Sequence, residues 1–107
     1  MVEKQGRIDN IVRQFYKRIC DIYPVKKVIL YGSYAKGSAT EDSDIDVGVV
    51  IDIENHLQRM DITSDMFHHA HEIDNRIEPK CIFLDEYVNR EKASILSEIV
   101  QNGKEIV

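Results

Sequence analysis

The chain has 107 residues, 43% hydrophobic and 31% charged, and carries a net charge of −5. This length predicts a single domain over residues 1–107 that buries one core without disulfides or a structural metal. The acidic balance argues against non-specific nucleic-acid binding, and no apolar run is long enough to span a membrane, so neither partner is expected.

MVEKQGRIDN at the N-terminus lacks the apolar segment of a secretory leader. Ile8, Ile11, Val12, Phe15, Tyr16, Ile19 and Cys20 recur by three and one, which predicts an amphipathic helix of about four turns. Pro24 marks its exit. Lys26 to Tyr31 (KKVILY) reads as a short strand. Gly32 stops it, and residues 33–43 read as a tight turn, with room for one helical turn, and then a loop. Asp44 to Ile51 alternates in β fashion. Ile45, Val47 and Val49 fall on one face, and Asp44, Asp46, Gly48 and Val50 on the other.

Helical spacing returns from about Glu54 to Asp74 through Leu57, Met60, Met66, Phe67, Ala70 and Ile73, with room for a break near Asp61–Ser64. Arg76 to Leu84 (RIEPKCIFL) reads as a third strand, and Pro79 marks it as an edge or an irregular one. Asp85 or Asn89 is expected to cap a last helix carrying Ala93, Ile95, Leu96, Ile99 and Val100, with Gly103 at its C′ position. The expected fold is α/β (α+β): a small mixed sheet flanked by helices mainly on one face, in the order α-β-α(short)-β-α-β-α. The only cysteines are Cys20 and Cys81, without metal-ligand spacing. Reduced thiols and a cytoplasmic location are the expectation.

Two carboxylates at i and i+2 on a strand point to one side, about 7 Å apart. Asp44 and Asp46 are therefore placed to share one cation or a pair. Holding two such charges side by side without a cation is costly. A hard divalent ion such as Mg²⁺ relieves that cost, because it prefers oxygen ligands and sits between carboxylates and phosphates. For a bare Asp-x-Asp, a simply solvated face is the commoner outcome. The preceding Gly32-Ser33 turn shifts the balance. A strand that ends in Gly-Ser presents backbone N–H groups and a hydroxyl where a phosphate can sit, with Lys36 close by.

The string GSYAKGSATEDSDID resembles the signature of the DNA polymerase β-like nucleotidyltransferase superfamily. Its GS-x10-DxD spacing looks like that of the minimal nucleotidyltransferases, short proteins often encoded beside a HEPN-domain partner. Ala35-Lys36-Gly37 and Ser43 before Asp44 also fit, although many relatives have Arg where Lys36 stands. The likeness extends through the RIEP strand to the closing EIVQNG helix. It implies a third acid, Glu78, on the later strand. It also implies in-line transfer of a nucleoside monophosphate, with two Mg²⁺ ions on Asp44, Asp46 and Glu78, and with Glu78 as a ligand or proton acceptor. Gly32, Ser33, Lys36 and Ser43 would bind the nucleotide.

The substrate implied is ATP, and the acceptor a hydroxyl of a HEPN-family toxin, a tyrosine in the subfamily's pattern. The protein would then act as an antitoxin in a homo- or hetero-oligomer. Two alternatives stand beside this: a non-catalytic module that neutralises its partner by covering it, and transfer to a small molecule. His68, His69 and His71 in FHHAHEID lack a full set of four zinc ligands and read as a partly exposed helix face. Tyr31 and Tyr34 flank the motif, either as packing residues or as stacking partners for a base.

Overall fold

The structure, a computed structural model, describes residues 5–40, 42–90 and 94–107. Helix α1 (Gln5–Ile19) buries Ile8, Val12, Phe15 and Ile19 completely, the stripe that the spacing predicts. Strand β1 (Val25–Tyr31) leads into a single helical turn, α2 (Ser33–Lys36), and strand β2 (Ile45–Ile51) follows. A 3-10 turn at His56–Gln58, capped by the Asn55 side chain, opens helix α3 (Arg59–Ile73). Strand β3 (Ile77–Phe83), helices α4 (Leu84–Val88) and α5 (Ile95–Asn102), and strand β4 (Lys104–Glu105) complete the order.

The sheet runs β3-β2-β1-β4 among the described residues. β1 is antiparallel to β2 and to β4, and β2 is parallel to β3 across the α3 crossover. The mixed sheet flanked by helices is as expected, but both of its faces are covered. Val28, Leu30, Ile45, Val47, Val49 and Ile51 pack with α1 and α3. Ile29, Val50 and Ile82 pack on the opposite face with Ile99 of α5 and Tyr87 of α4. The unbroken apolar runs VIL and VGVVI are the cause, since a strand buried on one face would alternate with polar residues. Val50 is accordingly fully buried rather than on a solvated face.

Four further expectations are corrected. α3 runs unbroken through Asp61–Ser64, and its buried stripe is Ile62, Met66 and Ala70. Leu57 and Met60 are 93% and 83% exposed. Leu57 lies in the turn before the helix, and Met60, two positions before Ile62, is rotated about 200° from that stripe. The predicted last helix is two helices, and Ser94 rather than Asp85 or Asn89 caps α5 by accepting the Ser97 N–H at 3.0 Å. Ala93 lies outside the described residues. Gly103 does end α5, but at φ −83° rather than in the left-handed region. Its requirement is space: a Cβ there would stand 2.4 Å from Ile99 O and 2.5 Å from Ile29 Cγ2.

β3 is the sheet edge that Pro79 suggested. α3 and α4 close this edge. Arg59 Nη1 donates to Cys81 O at 2.8 Å, His71 Nε2 lies 3.2 Å from Ile77 O, and Glu86 accepts the Phe83 N–H at 3.0 Å. Pro79 offers no N–H at all. An edge so covered resists pairing with another strand.

Candidate functional site

Register brings the acids together. Asp46 sits directly across from Tyr31 on one side and from Glu78 on the other. The three side chains therefore rise from one face at one level of the sheet, with neighbouring strands about 4.8 Å apart. Asp44 lies just ahead of β2, and its charge acts on both Asp46 and Glu78.

The crowding marks the titration of these groups. Burial and then the Asp44 charge push Asp46 above the usual carboxylate range. Burial, followed by Asp44 and Asp46, does the same to Glu78. Burial and the same two acids, Asp46 and Glu78, push the Tyr31 phenol up to about 12. A raised carboxylate pKa means that the folded state holds protons the unfolded chain has released. Stability from these groups is thus fully present below the unfolded value and lost as pH rises through the raised folded values. Mg²⁺ should therefore raise the melting temperature more at pH 7 than at pH 4.5, because Asp46 and Glu78 take up protons more readily than ordinary carboxylates as the pH falls. Equal shifts at the two pH values in a thermal melt would contradict this reading of the acids.

Gly32 forms the wall opposite Asp46. Its φ of +74° and ψ of −148° suit glycine, and a Cβ there would meet Asp46 Oδ2 at 2.3 Å. The main chain of the turn thus lies against the carboxylate. α2 starts at Ser33, so the first N–H groups of this turn have no intrahelical partner. Among the described residues, Ser33 Oγ and the Lys36 ammonium make no hydrogen bond or ion pair. Ser43 serves its own loop, because its Oγ accepts the Thr40 N–H at 2.8 Å.

The loop from α2 to Asp44 is tied down by Tyr34, Arg76 and Asp74. Tyr34 is buried and donates to Thr40 O at 3.1 Å, and Arg76 Nη1 lies 3.3 Å from the same phenol oxygen. Asp74 holds Arg76 through Nη2 and Nε at 2.7 and 3.0 Å, and Arg76 O accepts the Ile45 N–H at 2.7 Å. Of the two tyrosines beside the motif, Tyr34 is therefore a packing residue, and it links the signature loop to the start of β3. The sequence signal is an Arg at the start of the predicted strand with Asp74 two positions before it; in the structure β3 begins one residue later, at Ile77. Tyr34→Phe keeps the ring and removes the bridge. It should cost about 1 kcal/mol of stability and lower turnover more than nucleotide affinity. Unchanged turnover would show that the tether does not position the site.

Two open hollows adjoin the acids. The first, about 250 Å³, lies between the sheet and α5 and is lined by Gly32, Lys36, Lys80, Ile95, Glu98 and Asn102, with Tyr31 and Ile99 behind them. The second, about 370 Å³, lies at the β3 edge against α3 and includes Glu78 and Lys80. The sequence predicts α5 as a helix and Lys80 within a strand, but places neither at the site. Their placement depends on the second buried face of the sheet, which the sequence reading did not expect.

Among the described residues, no three His, Cys, Asp or Glu side chains stand close enough to cage an ion by themselves. An all-protein cage is not what Mg²⁺ needs, since one or two carboxylates plus substrate phosphates suffice. The donors at this site are all carboxylate oxygens, two of them held at raised proton affinity by burial and then by the neighbouring acids. Asp44, Asp46 and Glu78 therefore fit a hard cation that arrives with a phosphate-bearing substrate. His68 and His69 lie apart on α3, engaged with Glu72 and Asp65, while His71 stands at the β3 edge with Nε2 3.2 Å from Ile77 O.

Residues 12–106 match the family model described as a nucleotidyltransferase domain. A protein of Methanocaldococcus jannaschii, provisionally named a protein adenylyltransferase, is 47% identical over 51 residues, covering 48% of this chain and 51% of that protein. The chain spans about half the length of the first relatives it matches. Among solved structures, one from Sulfolobus solfataricus, provisionally described as a nucleotidyltransferase, superimposes with a TM-score of 0.60 at 18% identity over 77% of this chain and 72% of that one. A toxin–antitoxin structure with AMP-PNP gives 0.57 at 20% identity over 92% and 72%. At such identities the likeness speaks for the fold. No described helix is long and apolar enough to cross a membrane.

Proposed function

The chain belongs to the nucleotidyltransferase domain family, and from that premise we propose that it transfers a nucleoside monophosphate, AMP from ATP, to a hydroxyl of a partner protein. The acceptor in this reading is a tyrosine of a HEPN-family toxin, and the protein acts as its antitoxin in the cytoplasm. One observation carries the catalytic part: the Gly32 main chain lies against the Asp46 carboxylate, with Glu78 at the same register on the next strand. Phosphate donors and acids thus stand within one unit.

The residues divide the work. The N–H groups of the Gly32-Ser33 turn and the Ser33 hydroxyl hold the β- and γ-phosphates, and Lys36 supplies positive charge beside them. Asp44 and Asp46, with Glu78, hold Mg²⁺. When bound, that ion neutralises charge on the phosphates and lowers the pKa of an attacking hydroxyl. Glu78 accepts the acceptor's proton at its carboxylate, whose raised proton affinity suits it to that step. Ile95, Ile99 and Tyr31 give the nucleoside an apolar wall.

Mg²⁺ with ATP should raise the melting temperature by several degrees, since a ligand at 100 times its Kd stabilises by about 2.7 kcal/mol. The double change Asp44→Ala, Asp46→Ala should abolish that shift. No shift in the wild type at millimolar concentrations of both would sink the nucleotide-site reading.

A further inference from the structure

In-line transfer places the attacking hydroxyl and the leaving pyrophosphate on opposite sides of the phosphorus. The sheet order supplies two sides. Gly32 and Lys36, at the end of β1, line the first hollow. Glu78, on β3 across the central strand, lines the second. Lys80 and Tyr31 border both hollows, so the two meet at the acids.

The second hollow has its own construction. Arg59, Thr63, Phe67 and His71 stand four positions apart and form one stripe of α3 along the β3 edge. Arg59 and His71 are fixed at its ends through Cys81 O and Ile77 O. Between them the edge carries Pro79, and the helix carries the small Thr63 and the ring of Phe67. The result is a groove with an apolar floor. Arg59, whose guanidinium is paired with Glu86, and His71 bound it, and the Lys80 ammonium, which has no ion-pair partner among the described residues, faces it.

Resting on the transferase reading above, we propose that this α3–β3 groove is the acceptor subsite. It takes an aromatic hydroxyl side chain set in an acidic peptide segment. The ring packs against Phe67 and Pro79, and a flanking carboxylate meets Lys80. The hydroxyl oxygen then bonds to the α-phosphorus, the bond to the β-phosphate bridging oxygen breaks, pyrophosphate leaves, and the proton passes to Glu78.

Two short tyrosine peptides test this, one flanked by glutamates and one by lysines. Their binding is measured with Mg²⁺ and a non-hydrolysable ATP analogue, and labelled-AMP transfer is measured separately. The wild type should bind the acidic peptide at least about tenfold more tightly, a difference of about 1.4 kcal/mol. Thr63→Glu should reverse that preference, and Thr63→Gln should not, while both bind the analogue as the wild type does and so report a folded protein. Equal binding of the two peptides to the wild type, or a preference that Thr63→Glu leaves intact, overturns the subsite. Charge-selective binding without transfer keeps the subsite and counts against the transferase reading alone.

Discussion

Asp46→Asn should remove nucleotidyl transfer by about a thousandfold or more while leaving the metal-free protein at least as stable as the wild type at pH 7. The two effects have one cause. Asp46 is half-buried between Tyr31 and Glu78, and burial and the Asp44 charge raise its pKa. At pH 7 its ionised form is held at a cost that the unfolded chain does not carry. Asparagine keeps the shape, ends the repulsion and loses the anionic ligand. The variant's advantage in melting temperature should shrink as pH falls toward the raised pKa, where the wild type also becomes neutral. A substantial loss of stability at pH 7 would mean that Asp46 supports the fold rather than strains it.

Gly32→Ala should be the most damaging single-methyl change in the signature. The backbone there has φ +74° and ψ −148°, a conformation that costs a side chain about 1–3 kcal/mol. The new Cβ would also stand 2.3 Å from Asp46 Oδ2. The carboxylate must move or the turn must open, and either change removes phosphate donors from the acids. A drop of about 5 °C or more in melting temperature, with loss of transfer, is the expected result. Gly37→Ala is the control. Its φ is +76° but nothing lies within 4 Å of the new Cβ, so it should lose about 1 kcal/mol and keep activity. Equal activities for the two variants would remove the close approach from the account.

The local parts of the site were legible in the sequence. Asp44 and Asp46 alternate around Ile45 at a strand's period of two, although β2 itself begins at Ile45, and Gly32-Ser33 precedes them by ten intervening residues. Glu78 was legible only through the family pattern. Nothing local specifies that β3 lies parallel to β2 with Asp46 opposite Glu78; the α3 crossover decides that. The last helix was legible, but its cover of the second face was not: a single alternation in β2 hides that Gly48 and Val50 sit under Ile82 and Ile99. β4 has two residues and no pattern of its own. It exists through pairing with Ile29 and Leu30, and Lys104 anchors it to Asp9 at 2.6 Å. Leu57 and Met60 looked like core because they are apolar, yet the stripe of α3 passes them by.

The central claim is that the acids and the Gly32-Ser33 turn cut ATP between its α- and β-phosphates. The most direct measurement incubates the protein, Mg²⁺ and a HEPN-domain partner with ATP labelled at either the α- or the γ-phosphate. The account predicts that the partner gains the α-label on a tyrosine, that the γ-label leaves as pyrophosphate, and that Asp46→Asn stops both. Transfer of the γ-label to the partner, or α-label transfer that survives Asp46→Asn, would contradict it.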